Sequence, residues 1–216
     1  AAPLPANLET GQELQEPRSR RGTPIWEIAH LYPLQGYWEE QDYLSLDAGR
    51  LVEFEDGFVE FLPMPTRTHQ LILLFLCDLL RDWVRSGNLG QVLITPYRVR
   101  LRDGKYREPD IAFIAKGRTP GERFSEGADL VMEILSESAV DRKRDLETKR
   151  TEYAAAGIPE YWIVDPVQET ITVLALEGDE YRVHGEFESG ATATSILLDG
   201  FAVDVTACFA AAANVE

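Results

Sequence analysis

The chain has few of the residues that build disulfide scaffolds, metal-thiolate sites or membrane spans. Its 216 residues include only two cysteines, Cys77 and Cys208, and these do not have the paired spacing of zinc or redox motifs. No apolar run approaches the roughly 20 residues that cross a bilayer. The start of the chain shows no basic segment followed by an apolar one, as a secretory leader would. We therefore expect a cytoplasmic protein without a membrane association, in which both thiols are buried.

Basic residues are also scarce, since 21 Lys and Arg stand against 37 Asp and Glu, for a formal net charge of -16. An acidic surface repels phosphates, which argues against a simple nucleic-acid-binding module. The segment from Arg98 to Arg150 is the exception, because it has more basic than acidic residues. Any nucleic acid is expected to approach over this segment. The candidate phosphate contacts are Lys105, Arg107, Arg142, Lys143 and Arg144.

The domain organisation follows from composition. Residues 1–24 contain four prolines and a basic run without hydrophobic periodicity, which is typical of a flexible N-terminal arm. Residues 25–216 have the length and hydrophobic content of a single domain with one substantial core.

The pattern of apolar residues and turn signals predicts an α/β (α+β) fold, with a mixed central sheet flanked by helices and extra antiparallel strands. A hairpin is expected around Asp56-Gly57. A long helix should begin at Thr66 or Thr68 and end at Gly87. The strand over 161–164 should run parallel to the strand over 129–135, because a helix connects them. The predicted strands are 91–101, 109–115, 129–135, 161–164, 170–176 and 181–187, and the second predicted helix is 140–156.

Three charged residues occupy positions where a structural residue should be apolar. Asp110 opens the apolar run after Pro109, and Glu133 interrupts the nearly continuous apolar run over 130–135. Lys149 lies on the predicted inward stripe of the second helix, with Leu146 and Tyr153. Each isolated buried charge lowers the stability of the folded state by roughly several kcal/mol. The cost becomes tolerable when the charges share a site with a metal ion. The pattern therefore favours a hydrolytic metal site.

The ordered motifs resemble one nuclease superfamily. They are Glu53-Phe54-Glu55-Asp56-Gly57, Thr68-His69-Gln70, Glu108-Pro109-Asp110-Ile111, Glu133-Ile134-Leu135-Ser136 and the series from Lys149 through Tyr153 and Gly157 to Asp165-Pro166. Together they resemble the PD-(D/E)XK nuclease superfamily and, within it, the Uma-type family of restriction endonucleases, over roughly residues 38–209. The resemblance implies a restriction-endonuclease-like core. It departs from the superfamily at Leu135, where the motif's lysine should stand, and Lys149 is the matching position on the next helix.

The resemblance implies a Mg²⁺- or Mn²⁺-dependent endonuclease that hydrolyses DNA, acting as a homodimer. Asp110, Glu133 and the backbone carbonyl of Ile134 would then bind the metal, and Lys149 would position the attacking water and help to deprotonate it. His69 and Gln70 are possible accessory residues. Two alternatives stay open, namely an inactive or non-enzymatic interaction module on a nuclease-like fold and a hydrolase of smaller phosphodiesters. A positive groove leading to Asp110 would favour the nuclease, and acidic surface throughout would favour the module.

Overall fold

The computed structural model describes residues 32–46, 51–136 and 142–213, so the predicted arm over 1–24 lies outside the described residues. Strands are numbered in chain order. One sheet has five strands, in the spatial order β2 (Phe58–Phe61), β1 (Val52–Glu55), β5 (Lys105–Arg107), β4 (Arg98–Arg102) and β7 (Phe124–Glu126). Its neighbours are antiparallel except for the parallel pair of β4 and β7. The hairpin of β1 and β2 turns at Asp56-Gly57, as predicted.

The second sheet has six strands and holds the centre of the molecule. Its spatial order is β11 (Glu180–Glu188), β10 (Thr170–Glu177), β9 (Glu160–Asp165), β8 (Leu130–Ile134), β6 (Ile111–Ala115) and β3 (Gly90–Ile94). The pair of β8 and β9 is parallel, as the crossover rule predicts, and the other neighbours are antiparallel. Two short strands, β12 (Thr192–Thr194) and β13 (Ala202–Asp204), pair separately.

The helices are α1 (Glu40–Ser45), α2 (Arg67–Gly87), α3 (Lys149–Ala155) and α4 (Val205–Ala210). Helix α2 begins and ends where its sequence predicts. The Thr66 hydroxyl accepts a hydrogen bond from the backbone N–H of His69 at 3.2 Å, and Asn88 closes the helix in the left-handed conformation. No helix in the described part of the chain is long and apolar enough to cross a membrane.

Helices cover both faces of the six-stranded sheet, which confirms the predicted fold class. Helices α2 and α4 pack with Trp162 on one face, where Cys208 is buried as expected. Helix α3 packs on the other face through Tyr153, against Tyr161. Cys77 is only partly buried, contrary to expectation, because it lies at the margin of the core-facing side of α2.

The single strand predicted over 91–101 is wrong. The chain instead forms β3 and β4, which belong to different sheets. Pro96 lies between them and has no N–H to continue a ladder, and the backbone turns there, with the N–H of Tyr97 donating to the carbonyl of Ile94. This turn separates the two sheets, and the cavities described below lie beside it.

A buried carboxylate fixes the segment after β12 to the central sheet. Glu160, at the start of β9, is 1% exposed and accepts four hydrogen bonds. Its Oε1 accepts from Trp162 Nε1 at 2.6 Å and from Ser195 Oγ at 2.7 Å. Its Oε2 accepts from the backbone N–H groups of Ile196 at 2.7 Å and Leu197 at 2.8 Å. All four donors require an acceptor at this position.

We expect Glu160→Gln to lower the free energy of unfolding by about 2 kcal/mol, because its amide nitrogen would place N–H groups against buried donors. Urea denaturation followed by tryptophan fluorescence measures the change. Glu186→Gln on β11 is the matched control, because Glu186 is exposed. Equal midpoints for the two variants would contradict the anchoring role of Glu160.

Candidate active site

The pairing of β6 with β8 brings two of the predicted acids together. Ile111 lies opposite Met132, and continuing this register by one residue places Asp110 opposite Glu133. Opposite residues of an antiparallel pair point to the same face of the sheet, with Cβ atoms about 5 Å apart. Both side chains accordingly line one cavity, of about 550 Å³.

The strand β6 begins only after Asp110, and this leaves the backbone of Ile134 without a ladder partner on that side. The same register places Pro109 opposite Ile134, and proline has no N–H to donate to the carbonyl of Ile134. The N–H of Ile134 donates instead to Asp110 Oδ2 at 2.8 Å. The side chain of Asp110 thereby replaces a backbone acceptor, and this hydrogen bond fixes its position beside β8.

Lys149 joins the acids from helix α3, as the hub of a buried ion-pair cluster. Its Nζ lies 2.9 Å from Glu133 Oε1, 3.3 Å from Asp145 Oδ1 and 3.4 Å from Glu53 Oε1. Its side chain is 3% exposed. The Tyr153 hydroxyl donates to Glu133 Oε1 at 2.6 Å. One ammonium therefore contacts three carboxylates from three different elements of the fold.

Asp145 reaches the cluster because the helix is wider than predicted. The segment Arg144–Thr148 is π-helical, and the N–H of Lys149 donates to the carbonyl of Arg144, five residues earlier. The wider turn buries Asp145 and leaves Leu146 38% exposed. The predicted inward position of Leu146 is therefore wrong, while those of Lys149 and Tyr153 hold.

Sequence reasoning missed the roles of Asp145 and Glu53 in this cluster. The signal for Asp145 was its four-residue spacing from Lys149, which suits a helical ion pair. The signal for Glu53 was weaker, because hairpin alternation is equally compatible with an exposed glutamate. Glu53 is 1% exposed. Glu53 Oε2 and Asp145 Oδ1 are both buried and lie beside cations, at 3.6 Å from Arg107 Nε and 3.3 Å from Lys149 Nζ respectively.

The cluster raises the pKa of three of its members, two acids and the lysine. Burial raises the pKa of Glu133 to about 8, opposed by Lys149 and assisted by the negative charges of Asp110 and Asp145. Burial likewise raises the pKa of Asp145. Burial alone would lower the pKa of Lys149, but Glu133, Glu53 and Asp145 outweigh it and raise that pKa. The lysine therefore keeps its proton, and Glu133 and Asp145 keep theirs to higher pH than exposed carboxyl groups do.

Of the two accessory candidates, the structure brings only His69 to the acids. His69 Nε2 lies 3.1 Å from Asp110 Oδ2, and its Nδ1 is buried without a hydrogen-bond partner among the described residues. Burial would lower the pKa of His69, but the hydrogen bond and charge of Asp110 raise it. Gln70 does not line this cavity and lies on a second one described below.

Lys105 and Arg107, which are predicted to contact phosphates, have side chains that are buried by ion pairs and are not presented at the surface. Lys105 Nζ lies 2.6 Å from Glu55 Oε1 and 2.7 Å from Glu152 Oε1. Arg107 Nη2 lies 2.6 Å from Glu55 Oε2, and Arg107 Nε lies 2.8 Å from Glu152 Oε2. These pairs connect β5 with β1 and α3, so the two cations stabilise the junction of the sheets.

The other three predicted contacts have different environments. Arg142 forms two hydrogen bonds with the carboxylate of Asp165, at 3.0 and 2.6 Å, which neutralises its charge. Lys143 is exposed. Arg144 lines the cavity and contacts Glu60 on β2 at 3.3 Å. Lys143 and Arg144 therefore stay candidates for phosphate contact, and Arg142 is the weaker one.

Glu108 is a further buried acid of the cavity wall that sequence reasoning did not assign. Its Oε2 accepts from the N–H of Val52 at 2.9 Å, and its Oε1 lies 3.4 Å from Arg98 Nε. Burial raises the pKa of Glu108 to about 7, although the Val52 N–H and Arg98 lower it. Its signal was its position beside Pro109-Asp110, directly before a buried strand.

Comparisons with known proteins identify the family and agree with the fold. The Uma2 family model, described as "Putative restriction endonuclease", matches residues 38–206. The crystal structure of a "putative nuclease belonging to DUF820" from Anabaena variabilis ATCC 29413 has a TM-score of 0.67 and 18% identity to this chain, and the match covers 83% of this chain and 99% of that one. At that identity the likeness shows the fold alone, and it confirms the predicted architecture. No curated protein matches this chain.

The raised pKa of Glu133 predicts a pH-dependent stability without divalent metal. The pKa of its carboxyl group is 4.5 when the chain is unfolded and about 8 when it is folded. The stability it contributes is therefore fully present below pH 4.5, decreases as the pH rises and is lost above about 8. Between pH 5 and 8.5 in EDTA, the melting temperature of Glu133→Gln should fall by less than that of the parent, as measured by circular dichroism. Parallel curves for the two proteins would contradict the assignment.

Proposed function

Because this chain belongs to the Uma2 family, described as putative restriction endonucleases, we propose that it is a Mg²⁺-dependent endonuclease that hydrolyses DNA phosphodiester bonds. The family and its fold support a nuclease-like function in general. The single observation that carries the specific proposal is the buried cluster in which Lys149 joins Glu133, opposite Asp110. We further propose that the protein acts in the cytoplasm as a homodimer, since twofold symmetry lets two single-site protomers cut both strands of a duplex.

The chemistry of the donors fits a hard divalent cation. Asp110 Oδ2 and Glu133 Oε1 accept hydrogen bonds, whereas no hydrogen bond from a described residue reaches Asp110 Oδ1 or Glu133 Oε2. The carbonyl of Ile134 has no donor from the β6 side, because Pro109 lies opposite. Carboxylate and carbonyl oxygens are the ligands that Mg²⁺ and Mn²⁺ prefer. We therefore assign metal binding to Asp110, Glu133 and the Ile134 carbonyl.

The small number of protein ligands is compatible with this assignment. Among the described residues, no group of three or more His, Cys, Asp or Glu side chains is arranged to hold a metal ion. Mg²⁺ commonly keeps several waters and uses one or two carboxylates together with substrate phosphate. The two carboxylates and the backbone carbonyl would supply part of its shell, and a bound cation would favour the ionised form of Glu133.

Lys149 acts in this proposal as a fixed positive charge. When bound, the metal would supply charge neutralisation at the scissile phosphate and an activated water. The sequence suggested that Lys149 helps to deprotonate that water, but its raised pKa keeps the ammonium protonated, which makes it a poor base. Its Nζ can instead donate a hydrogen bond to the attacking water or to a phosphate oxygen. Its contacts with Glu53 and Asp145 hold the ammonium in place.

His69 and Tyr153 have positioning roles. His69 Nε2 faces Asp110 Oδ2 and fixes the orientation of that carboxylate, together with the N–H of Ile134. The Tyr153 hydroxyl and Lys149 Nζ both donate to Glu133 Oε1. These two hydrogen bonds fix the carboxylate so that its other oxygen, Oε2, points away from both donors. Each metal-binding carboxylate is therefore oriented by at least two donors, as preorganised sites require.

We expect Asp110→Asn to reduce Mg²⁺-dependent cleavage of DNA by about a hundredfold or more, because an amide binds the cation more weakly than a carboxylate does. Plasmid and oligonucleotide cleavage by parent and variant measures the change. Asp179→Asn is the matched control, because Asp179 is exposed and does not line the cavity. If purified parent protein with Mg²⁺ or Mn²⁺ cleaves no DNA, the non-enzymatic module becomes the better interpretation.

Metal binding can be measured without activity. We expect Mg²⁺ at millimolar concentration to raise the melting temperature of the parent, because a ligand that binds only the folded state stabilises it. The shift should be much smaller in Asp110→Asn. Lys149→Ala is unsuitable here, because removing the ammonium leaves three carboxylates buried together and endangers the fold. A melting temperature that does not respond to Mg²⁺ would argue against a preformed metal site.

A further inference from the structure

A second cavity adjoins the proposed active site and has a different chemistry. Its volume is about 670 Å³, within the roughly 300 to 1,000 Å³ of small-molecule pockets. It shares walls with the first cavity, so the two lie side by side. The shared wall residues are Leu51, Met64, Pro65, Thr95 and Glu108. A chain molecule that reaches across this shared wall would contact both cavities.

Two arginines give this cavity a positive wall. Arg98 Nη1 and Arg123 Nη1 both donate to the carbonyl of Leu44, at 3.4 and 3.1 Å, which holds the guanidinium groups at one place. The Arg98 guanidinium also lies 4.4 Å from the centre of the Tyr43 ring. Glu108 is the acidic residue of the lining, and it is paired with Arg98. No carboxylate among the described residues pairs with Arg123.

The remaining wall is largely apolar. It includes Ile94, which is 40% exposed, and Met64, which is 70% exposed. Leu46 and Pro96 complete the apolar surface, and Gln70 contributes an amide that can both donate and accept hydrogen bonds. A ligand that suits these walls has an anionic group for Arg123 and a flat or apolar group with hydrogen-bonding edges. A nucleotide has both.

We propose that the second cavity binds the nucleotide next to the scissile phosphate, with its phosphate at Arg123 and its base unstacked against the wall around Ile94. This inference rests on the proposed nuclease function and adds the form of the substrate. A base enters a cavity of this size only when it is released from its pairing partner and its neighbours. The substrate strand is therefore unpaired at this position, as in single strands, flaps or locally opened duplexes.

The division of charge between the cavities supports this arrangement. The first cavity is lined by four acids, Glu108, Asp110, Glu133 and Asp145, beside the cations Arg144 and Lys149. Among the described residues, the second is lined by Arg98, Arg123 and one acid, Glu108, which is paired with Arg98, so Arg123 favours phosphate without a metal ion. A flanking phosphate held at Arg123 would position the strand before the scissile phosphate enters the acid cluster.

A binding assay tests the proposal without catalysis. Fluorescence anisotropy would measure the affinity of a labelled hexanucleotide of single-stranded DNA in Ca²⁺, with one abasic position scanned along the strand. We expect the loss of one particular base to weaken binding about tenfold, and the loss of the others to have smaller effects. The blunt duplex of the same sequence should bind more weakly than the single strand.

Two variants locate the effect in the second cavity. Arg123→Glu should weaken binding of the intact strand about tenfold and reduce its salt dependence. Ile94→Asp should weaken binding of the intact strand but have little further effect on the strand that lacks the critical base, since both changes remove one contact. The matched controls are Arg182→Glu and Val183→Asp, both on exposed positions of β11 at the far edge of the sheet.

The possible failures are distinguishable. A flat abasic scan, tighter binding of the duplex, or equal binding by Arg123→Glu and the parent would each overturn the nucleotide subsite while leaving the proposed nuclease function intact. Failure of the parent to bind either single strand or duplex would overturn the subsite and the proposed function together. If Arg182→Glu weakens binding of the strand as much as Arg123→Glu does, the effect is one of general charge, and this result would also overturn the subsite.

Discussion

The contact between Lys149 and its three carboxylates is the interaction on which the arrangement of this site depends. Glu53 comes from the five-stranded sheet, Glu133 from the six-stranded sheet and Asp145 from the π-helical segment before α3. Each would be costly to bury alone, and a shared ammonium offsets that cost only if all four groups stay in place. The cluster therefore joins the two sheets and the helix, and the position of Lys149 is set from several directions at once.

The position of Asp110, the acid on the other side of the cavity, also follows from a local constraint. Pro109 cannot donate to β8, so the ladder of β6 and β8 stops and the side chain of Asp110 accepts the N–H of Ile134 instead. A ladder that continued through this position would satisfy the carbonyl of Ile134 and remove it from the cavity. The loss of one backbone hydrogen bond thus creates both a fixed carboxylate and an available carbonyl. Both features follow from the local sequence Pro109-Asp110.

Local signals explain what could be predicted from the sequence. Asp110 and Glu133 interrupt apolar strands, and the crossover rule places β8 beside β9, so the sheet and two members of the site follow from short stretches of chain. Glu53 and Arg107 could not be assigned this way, because their burial depends on ion pairs with residues far apart in the sequence. The exposure of Leu146 was also unpredictable, since a π-helical turn changes which residues face inward without a periodic signal.

Burial of basic residues changes the meaning of the chain's charge. The segment from Arg98 to Arg150 is the least acidic by composition, which predicts a positive surface. Lys105 and Arg107, however, form ion pairs inside the junction of the sheets. Next to the acid cluster, the Leu44 carbonyl instead holds Arg98, which is paired with Glu108, and Arg123, which pairs with no carboxylate among the described residues. The local charge that lines a cavity, rather than the net charge of the chain, therefore decides where an acidic protein can attract phosphate. In this protein the cavity with the unpaired arginine adjoins the carboxylates that would bind a metal.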